Sequence, residues 1–237
     1  MDWSNYQAAL FDLDGVLTPT SELHMRAWND LFNGYLASIG LPADYSDQDY
    51  FAHVDGKPRY AGVSAFLESR GIGLPQGDPS DKPDQNTICG LGNRKNEVFN
   101  QLLHDEGIQA FPGSKRLVEQ LQQRGVKLAV VSSSRNAHEV LASAGIAEFF
   151  PVVVDGIYAA ENSLNGKPAP DTFRRAAELL SVEPAQAVVF EDALSGVAAG
   201  KAGAFGLVVG VDRGAGEAEL KNSGADVVVT DLAELLA

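Results

Sequence analysis

Short runs that are apolar at every position recur through the second half of the chain: LAVV at 128–131, PVVV at 151–154, AVVF at 187–190, LVVGV at 207–211 and VVV at 227–229. They are uninterrupted rather than alternating, and rich in valine, so they predict strands buried on both faces, the pattern of a parallel sheet. Between them lie stretches of helical periodicity: SKRLVEQLQQRG (114–125), NAHEVLASAG (136–145), DTFRRAAELL (171–180) and SGVAAGKAGA (195–204). Strand and helix alternate, and the expected fold is α/β, a Rossmann-like doubly wound parallel sheet covered by helices. QAALFDLD, residues 7–14, reads as one more strand of that sheet, yet a long interval of different character separates it from the next βα unit.

That interval predicts an insertion. Ser21 is a candidate helix cap, with Leu23, Ala27, Leu31 and Tyr35 following at helical spacing and a close near Gly40. Residues 62–72 and 94–108 suggest further helices. The stretch 73–93, GLPQGDPSDKPDQNTICGLGN, is rich in Gly, Pro and Asp and reads as a long surface loop. The expected organisation is a core domain of residues 1–19 and 107–237, interrupted by an all-helical domain at 20–106.

Composition narrows the partners. A hydrophobic content of 45% is ample for a buried core. With 18 Lys and Arg against 32 Asp and Glu, the formal net charge is -14, which disfavours nucleic acid and anionic membranes. No apolar run approaches the ~20 residues of a spanning helix, and the first residues lack a basic stretch followed by an apolar one. Cys89, the only cysteine, rules out an internal disulfide. A cytoplasmic monomer acting on a small molecule is expected, and an anionic substrate would have to be met by local positive charge.

In an open parallel sheet, ligands collect at the carboxyl ends of the strands. Asp12 and Asp14 close the first strand, where side chains two apart share a side, so their charges call for a cation between them. Ser132 ends the run at 128–131, Lys167 lies in the loop NGKPAPD, and Glu191 with Asp192 end AVVFED. Four carboxylates, a hydroxyl and a lysine would meet in one crevice. Hard oxygen ligands of this kind select Mg²⁺.

The ordered set DLDG, Ser132, Lys167 and ED resembles the four motifs of the haloacid dehalogenase superfamily of phosphotransferases. The resemblance implies that Asp12 is the nucleophile that takes a phosphoryl group and Asp14 the general acid and base, assisted by Ser132 and Lys167. It also implies Mg²⁺ held by Asp12, the backbone carbonyl of Asp14, Asp192 and, directly or through water, Glu191. The insert resembles the small helical cap of the β-phosphoglucomutase branch of that superfamily. The matches fall at TPTSELHMRAW (Thr20, His24, Trp28), DGKPR (Arg59) and NRKN (Lys95, Asn96), with SSSRN (Ser134, Arg135, Asn136) on the core side. Arg59 and Arg135 would bind a second phosphate, since a guanidinium fork matches its oxygens. Pro19 stands where that branch has an aspartate, Arg135 where it has a lysine, and the stretch 73–93 is longer.

The function so implied is Mg²⁺-dependent interconversion of β-D-glucose 1-phosphate and glucose 6-phosphate through an aspartyl phosphate and a glucose bisphosphate. A sugar-phosphate phosphatase using the same aspartate is the alternative within the class. A non-catalytic phosphosugar-binding module is the alternative outside it, but a pure binder has no need of both Asp12 and Asp14.

Overall fold

The computed structural model describes residues 2–236 and divides them into two compact units, one formed by the chain up to Thr20 together with the stretch from Ile108 onward, the other by Ser21–Gly107. In chain order the elements are β1 (Ala8–Phe11), α1 (Thr20–Ser38), α2 (Asp47–Asp49) running into a π-helical turn at Tyr50–Val54, α3 (Arg59–Ser69) and α4 (Ile88–Glu106). They continue with α5 (Pro112–Gln123), β2 (Lys127–Val131), α6 (Ala137–Ser143), β3 (Val152–Val154), α7 (Gly156–Glu161), α8 (Asp171–Leu179), β4 (Ala187–Glu191), α9 (Leu194–Ala202), β5 (Leu207–Val211), α10 (Glu217–Ser223) and β6 (Val227–Val229).

The first unit is built on a six-stranded, all-parallel sheet of order β3-β2-β1-β4-β5-β6, the order of a doubly wound sheet that reverses direction at its first strand. β1 lies between β2 and β4, so its end is the point where that order reverses. Residues two apart along each strand face the same way. Ala8, Leu10, Ala129, Val131, Val189 and Val208 pack with Phe173 and Ala176 of α8 and Val197 of α9. On the other face Phe11 stacks on Phe190 with centroids 4.5 Å apart, and Trp3 stacks on Phe190 in turn. Each such large side chain contributes roughly 1.5–3 kcal/mol by leaving water.

β1 stops at Phe11. The chain beyond it bonds to itself: Leu17 and Thr18 donate their N–H groups to Leu13 O, and Gly15 N–H donates to Thr18 O at 2.8 Å. Asp12 and Asp14 therefore do not sit at strand positions two apart, as the sequence reading expected. Asp12 keeps a ladder bond to β4 through its N–H, whereas Asp14 lies in the tight loop that follows, where Gly15 has a φ of 84°, a region that side-chain-bearing residues avoid.

The second unit is helical throughout, and its core is aromatic. Leu23, Ala27, Leu31 and Tyr35 of α1 are all buried, and Phe32 lies 4.1 Å from Phe66 of α3 between ring centroids. Two expectations need correction. The first helix begins at Thr20, ahead of the anticipated cap Ser21. The last begins at Ile88, not Arg94, so the end of the supposed surface loop is helix. Thr87 caps it by accepting a hydrogen bond from Gly90 N–H at 2.9 Å. The two glycines that read as loop are packing residues: a β-carbon on Gly90 would meet Gln85 O at 2.3 Å, and one on Gly92 would meet the Tyr60 ring at 2.7 Å. The remaining loop is pinned to α4, since Asn93 donates to Pro79 O and Asp81 O, and Arg94 to Pro83 O.

Candidate active site

At the carboxyl end of the sheet, beside β1, a buried ionic cluster forms. Lys167 Nζ donates to Asp12 Oδ1 at 2.5 Å and to Glu191, and also to Val131 O at 3.1 Å. All three side chains are at most 10% exposed. Asp12 is placed by the ladder, its N–H donating to Phe190 O at 2.9 Å. Glu191 is the last residue of β4, and its Oε2 accepts from Ala193 N–H at 3.1 Å. Gly196 of α9 makes room for it: a β-carbon there would fall 1.8 Å from Glu191 Oε1.

Burial, reinforced by the charges of Glu191 and Asp14, lifts the Asp12 carboxyl well above the ordinary range, against the pull of Lys167. Burial acts on Lys167 in the opposite sense, but the attraction of Asp12 and Glu191 outweighs it and keeps the ammonium protonated. Asp12, Glu191 and Asp192 each offer a carboxylate oxygen within 4.8 Å of the others. With Asp12 ionised, as a nucleophile must be, three carboxylates facing one ammonium carry a net charge of about −2 in a largely buried pocket, a state that a divalent cation would stabilise.

Asp14 is held separately. Its carboxylate accepts from Thr20 Oγ1, which in turn pairs with Thr18 Oγ1 at 2.8 Å, and from Ser132 Oγ at 3.4 Å. Ser132 accepts from Ser134 N–H at 3.0 Å, and Ser134 Oγ accepts from Asn136 N–H at 3.2 Å. The Ser134 carbonyl accepts from Gly156 N–H at 2.8 Å. A β-carbon on Gly156 would lie 2.7 Å from Ser133 O and 3.1 Å from Arg135 Cγ, so this glycine lets the end of β3 approach the SSSRN loop. Thus Asp12, Lys167 and Glu191 are joined by direct bonds, with Asp192 beside them, while Thr20, Asp14, Ser132, Ser134 and Asn136 form a second chain of contacts.

The remaining anticipated residues lie in the helical unit. Lys95 is buried and donates to His24 Nδ1, which leaves the proton of a neutral ring on Nε2. The same ammonium sits 5.1 Å from the Trp28 ring and 4.7 Å from Phe99, on which His24 stacks. Arg59 Nη2 donates to Asn96 Oδ1 at 2.7 Å. His24, Trp28 and Lys95 therefore form one cluster, and Arg59 with Asn96 a pair. Trp28 is core packing as well. Sequence reasoning missed Gly196 and Gly156. A glycine at the start of the helix that follows an acidic strand end is the signal that could have found the first.

A family model for haloacid dehalogenase-like hydrolases matches residues 6–203. The chain belongs to that family. It is 52% identical over 97% of its length to a β-phosphoglucomutase of Mycobacterium bovis, of which it covers 91%. Among solved structures it resembles a β-phosphoglucomutase of Clostridium difficile, with a TM-score of 0.78 and 25% identity over 98% of this chain and 93% of that one. It also resembles CbbY of Rhodobacter sphaeroides in complex with xylulose 1,5-bisphosphate, with a TM-score of 0.76 and 28% identity over 97% of this chain and 96% of that one. No helix among the described residues is long and apolar enough to cross a membrane.

Proposed function

We propose that the protein is a Mg²⁺-dependent β-phosphoglucomutase that interconverts β-D-glucose 1-phosphate and glucose 6-phosphate. The observation that carries the substrate is the 52% identity, nearly end to end, with an enzyme of that name. The chemistry rests on the ionic cluster around Asp12. An Asp12 oxygen attacks phosphorus, the bond to the sugar oxygen breaks, and an aspartyl phosphate forms. Asp14 gives its proton to the departing oxygen and takes one from the sugar hydroxyl that attacks in the return step, an assistance worth ~10²–10⁴-fold. Lys167, Ser132 and the N–H groups of Leu13 and Asp14 meet the oxygens of the transferring group, where charge spreads in the transition state. Asp12, Glu191, Asp192 and the carbonyl of Asp14 would hold the magnesium ion, which when bound screens the phosphate from the attacking carboxylate. His24, Trp28, Arg59, Lys95 and Asn96 of the helical unit are assigned to the sugar and second phosphate, together with Thr20, Ser134, Arg135 and Asn136.

A decisive assay supplies β-glucose 1-phosphate with a trace of glucose 1,6-bisphosphate and follows glucose 6-phosphate against free phosphate. Glucose 6-phosphate is the expected product. Release of phosphate alone would make the protein a phosphatase of the same class, and neither product would leave only a binding module.

A further inference from the structure

Three consecutive carbonyls of the loop that carries Asp14 are each bound from outside it. Arg213 Nε donates to Gly15 O at 2.7 Å, Ser114 Oγ to Val16 O at 2.7 Å, and Phe111 N–H to Leu17 O at 2.9 Å. These donors are themselves linked. The Arg213 guanidinium lies over the Phe111 ring, 4.1 Å from its centroid, and its Nη1 donates to Thr230 O at 3.0 Å. Ser114 is fully buried three residues beyond Phe111. Arg213 itself stands in the turn after β5, remote in sequence from every motif of the site.

On its inner side the same loop is closed by its own hydrogen bonds, and Asp14 is turned toward Thr20 and Ser132. Gly15 adopts a positive φ and has no side chain, so the backbone here is oriented by two grips, Gly15 N–H on Thr18 O before the α-carbon and Arg213 on Gly15 O after it. We infer that Arg213 is a positioning residue for Asp14: by fixing the Gly15 carbonyl it sets where the Asp14 carboxylate can reach. The guanidinium suits this task because its planar fork spans two carbonyls while its face stacks on a ring. An ammonium can do only part of it. The inference rests on the acid–base role proposed above for Asp14.

The test is the response of two substrates to one substitution. A sugar phosphate loses an alkoxide, which must take the proton of Asp14 as the bond to phosphorus breaks. An aryl phosphate such as p-nitrophenyl phosphate loses a stable phenolate and needs no proton in the step that phosphorylates Asp12, which is read as the single-turnover burst of phenolate before the aspartyl phosphate passes to water or a sugar hydroxyl. Misplacing an acid by about 1 Å is worth up to ~10²-fold. Arg213→Ala is therefore expected to lower kcat for β-glucose 1-phosphate roughly ten- to a hundredfold at nearly unchanged KM, leave the rate of the phenolate burst within about twofold, and shift the melting temperature little. Arg213→Lys should recover part of the loss, and Ser114→Ala should show the same selectivity with a smaller effect. In an Asp14→Asn background Arg213→Ala should add nothing, because the group it positions is gone.

Equal losses of sugar turnover and of the phenolate burst rate, or a further loss in the Asp14→Asn background, would overturn the positioning role. So would full sugar turnover in Arg213→Ala beside a strong loss in Asp14→Asn. Full sugar turnover in Asp14→Asn itself would remove the acid–base reading and this inference together.

Discussion

Each unit buries one lysine, and each solves the problem of a charge out of water in a different way. In the sheet unit Lys167 is neutralised by two carboxylates, Asp12 and Glu191, delivered by the ends of β1 and β4. In the helical unit Lys95 meets an imidazole nitrogen and the faces of Trp28 and Phe99. The first is a Coulombic solution that carries surplus negative charge and so is fitted to a cation. The second spreads one positive charge over polarisable rings on α1 and α4. An acidic strand end beside others of its kind makes a centre for phosphoryl transfer. A cation seated among aromatic rings makes a surface that can stack against, and donate to, a polar ligand.

The largest expected difference comes from replacing each lysine by methionine, which keeps the stem and removes the charge. Lys167→Met leaves Asp12 and Glu191 buried without their cation, and losing one partner of a buried pair costs about 3–5 kcal/mol. Turnover should fall by at least ~10³-fold as well, since the charge facing the phosphoryl group is lost. Lys95→Met puts a thioether among aromatic rings, so its stability cost should stay below about 2 kcal/mol. Chemical denaturation of both variants decides the matter, and similar losses would erase the distinction between the two solutions.

Magnesium should sharpen the contrast from the other side. A ligand present at a hundred times its dissociation constant stabilises the folded state by about 2.7 kcal/mol. Titration with Mg²⁺ is expected to raise the melting temperature of the wild type, and Asp192→Asn, which removes one of the three converging oxygens, should largely abolish the response. Retention of the full shift in that variant would move the cation elsewhere.

How far the chain could be read in advance also differs between the units. Strands buried on both faces are written as unbroken apolar runs, and the first polar residues after them are the residues at the site; Asp12, Ser132, Glu191 and Asp192 were legible for that reason. Lys167 was legible through its loop motif, although nothing in the spacing showed that it would bridge Asp12 and Glu191. The start of α4 was not legible. Gly90 and Gly92 carry a local signal for loop, whereas their reason is the absence of a β-carbon where Gln85 O and the Tyr60 ring approach. Arg213 and Ser114 escaped too, because each acts on a backbone carbonyl distant in sequence and such partners leave no periodic trace, and Gly196 escaped because what it supplies is the absence of a β-carbon beside Glu191.

Two helical glycines test whether that distinction is physical. In Gly196→Ala the new methyl group would have to displace the Glu191 carboxylate, which Lys167 and Ala193 N–H hold. The expected result is a loss of turnover of ~10-fold or more and weaker Mg²⁺ stabilisation. Gly92→Ala presses on the Tyr60 ring, a partly exposed group held by one hydroxyl bond to Asn93 Oδ1 at 2.9 Å rather than by a buried charge, and alanine offsets the shift with up to about 1 kcal/mol of helix propensity. Its net effect on stability should lie within about 1 kcal/mol of zero. If Gly196→Ala kept wild-type turnover, its role would be ordinary packing.

The smallest effect separates buried charge from charge at the edge of the helical unit. Burial alone would raise the pKa of Asp49, but hydrogen bonds from the Ser46 hydroxyl and N–H, joined by the Arg70 guanidinium, outweigh it and hold the carboxyl below its ordinary value. Both Ser46 donors lie 3.0 Å from Asp49 Oδ2, and Arg70 Nη2 reaches the carboxylate at 3.0–3.1 Å. A group whose pKa is lower when folded favours folding fully above its unfolded value, near 4, and loses that contribution as the pH falls through the folded value. Asp49→Asn should therefore cost about 1 kcal/mol or less at neutral pH, and the difference from the wild type should vanish toward pH 2. Urea midpoints measured at both pH values read this directly. A difference that persisted unchanged at low pH would mean that the geometry of the α2 cap, rather than the charge of Asp49, stabilises this corner.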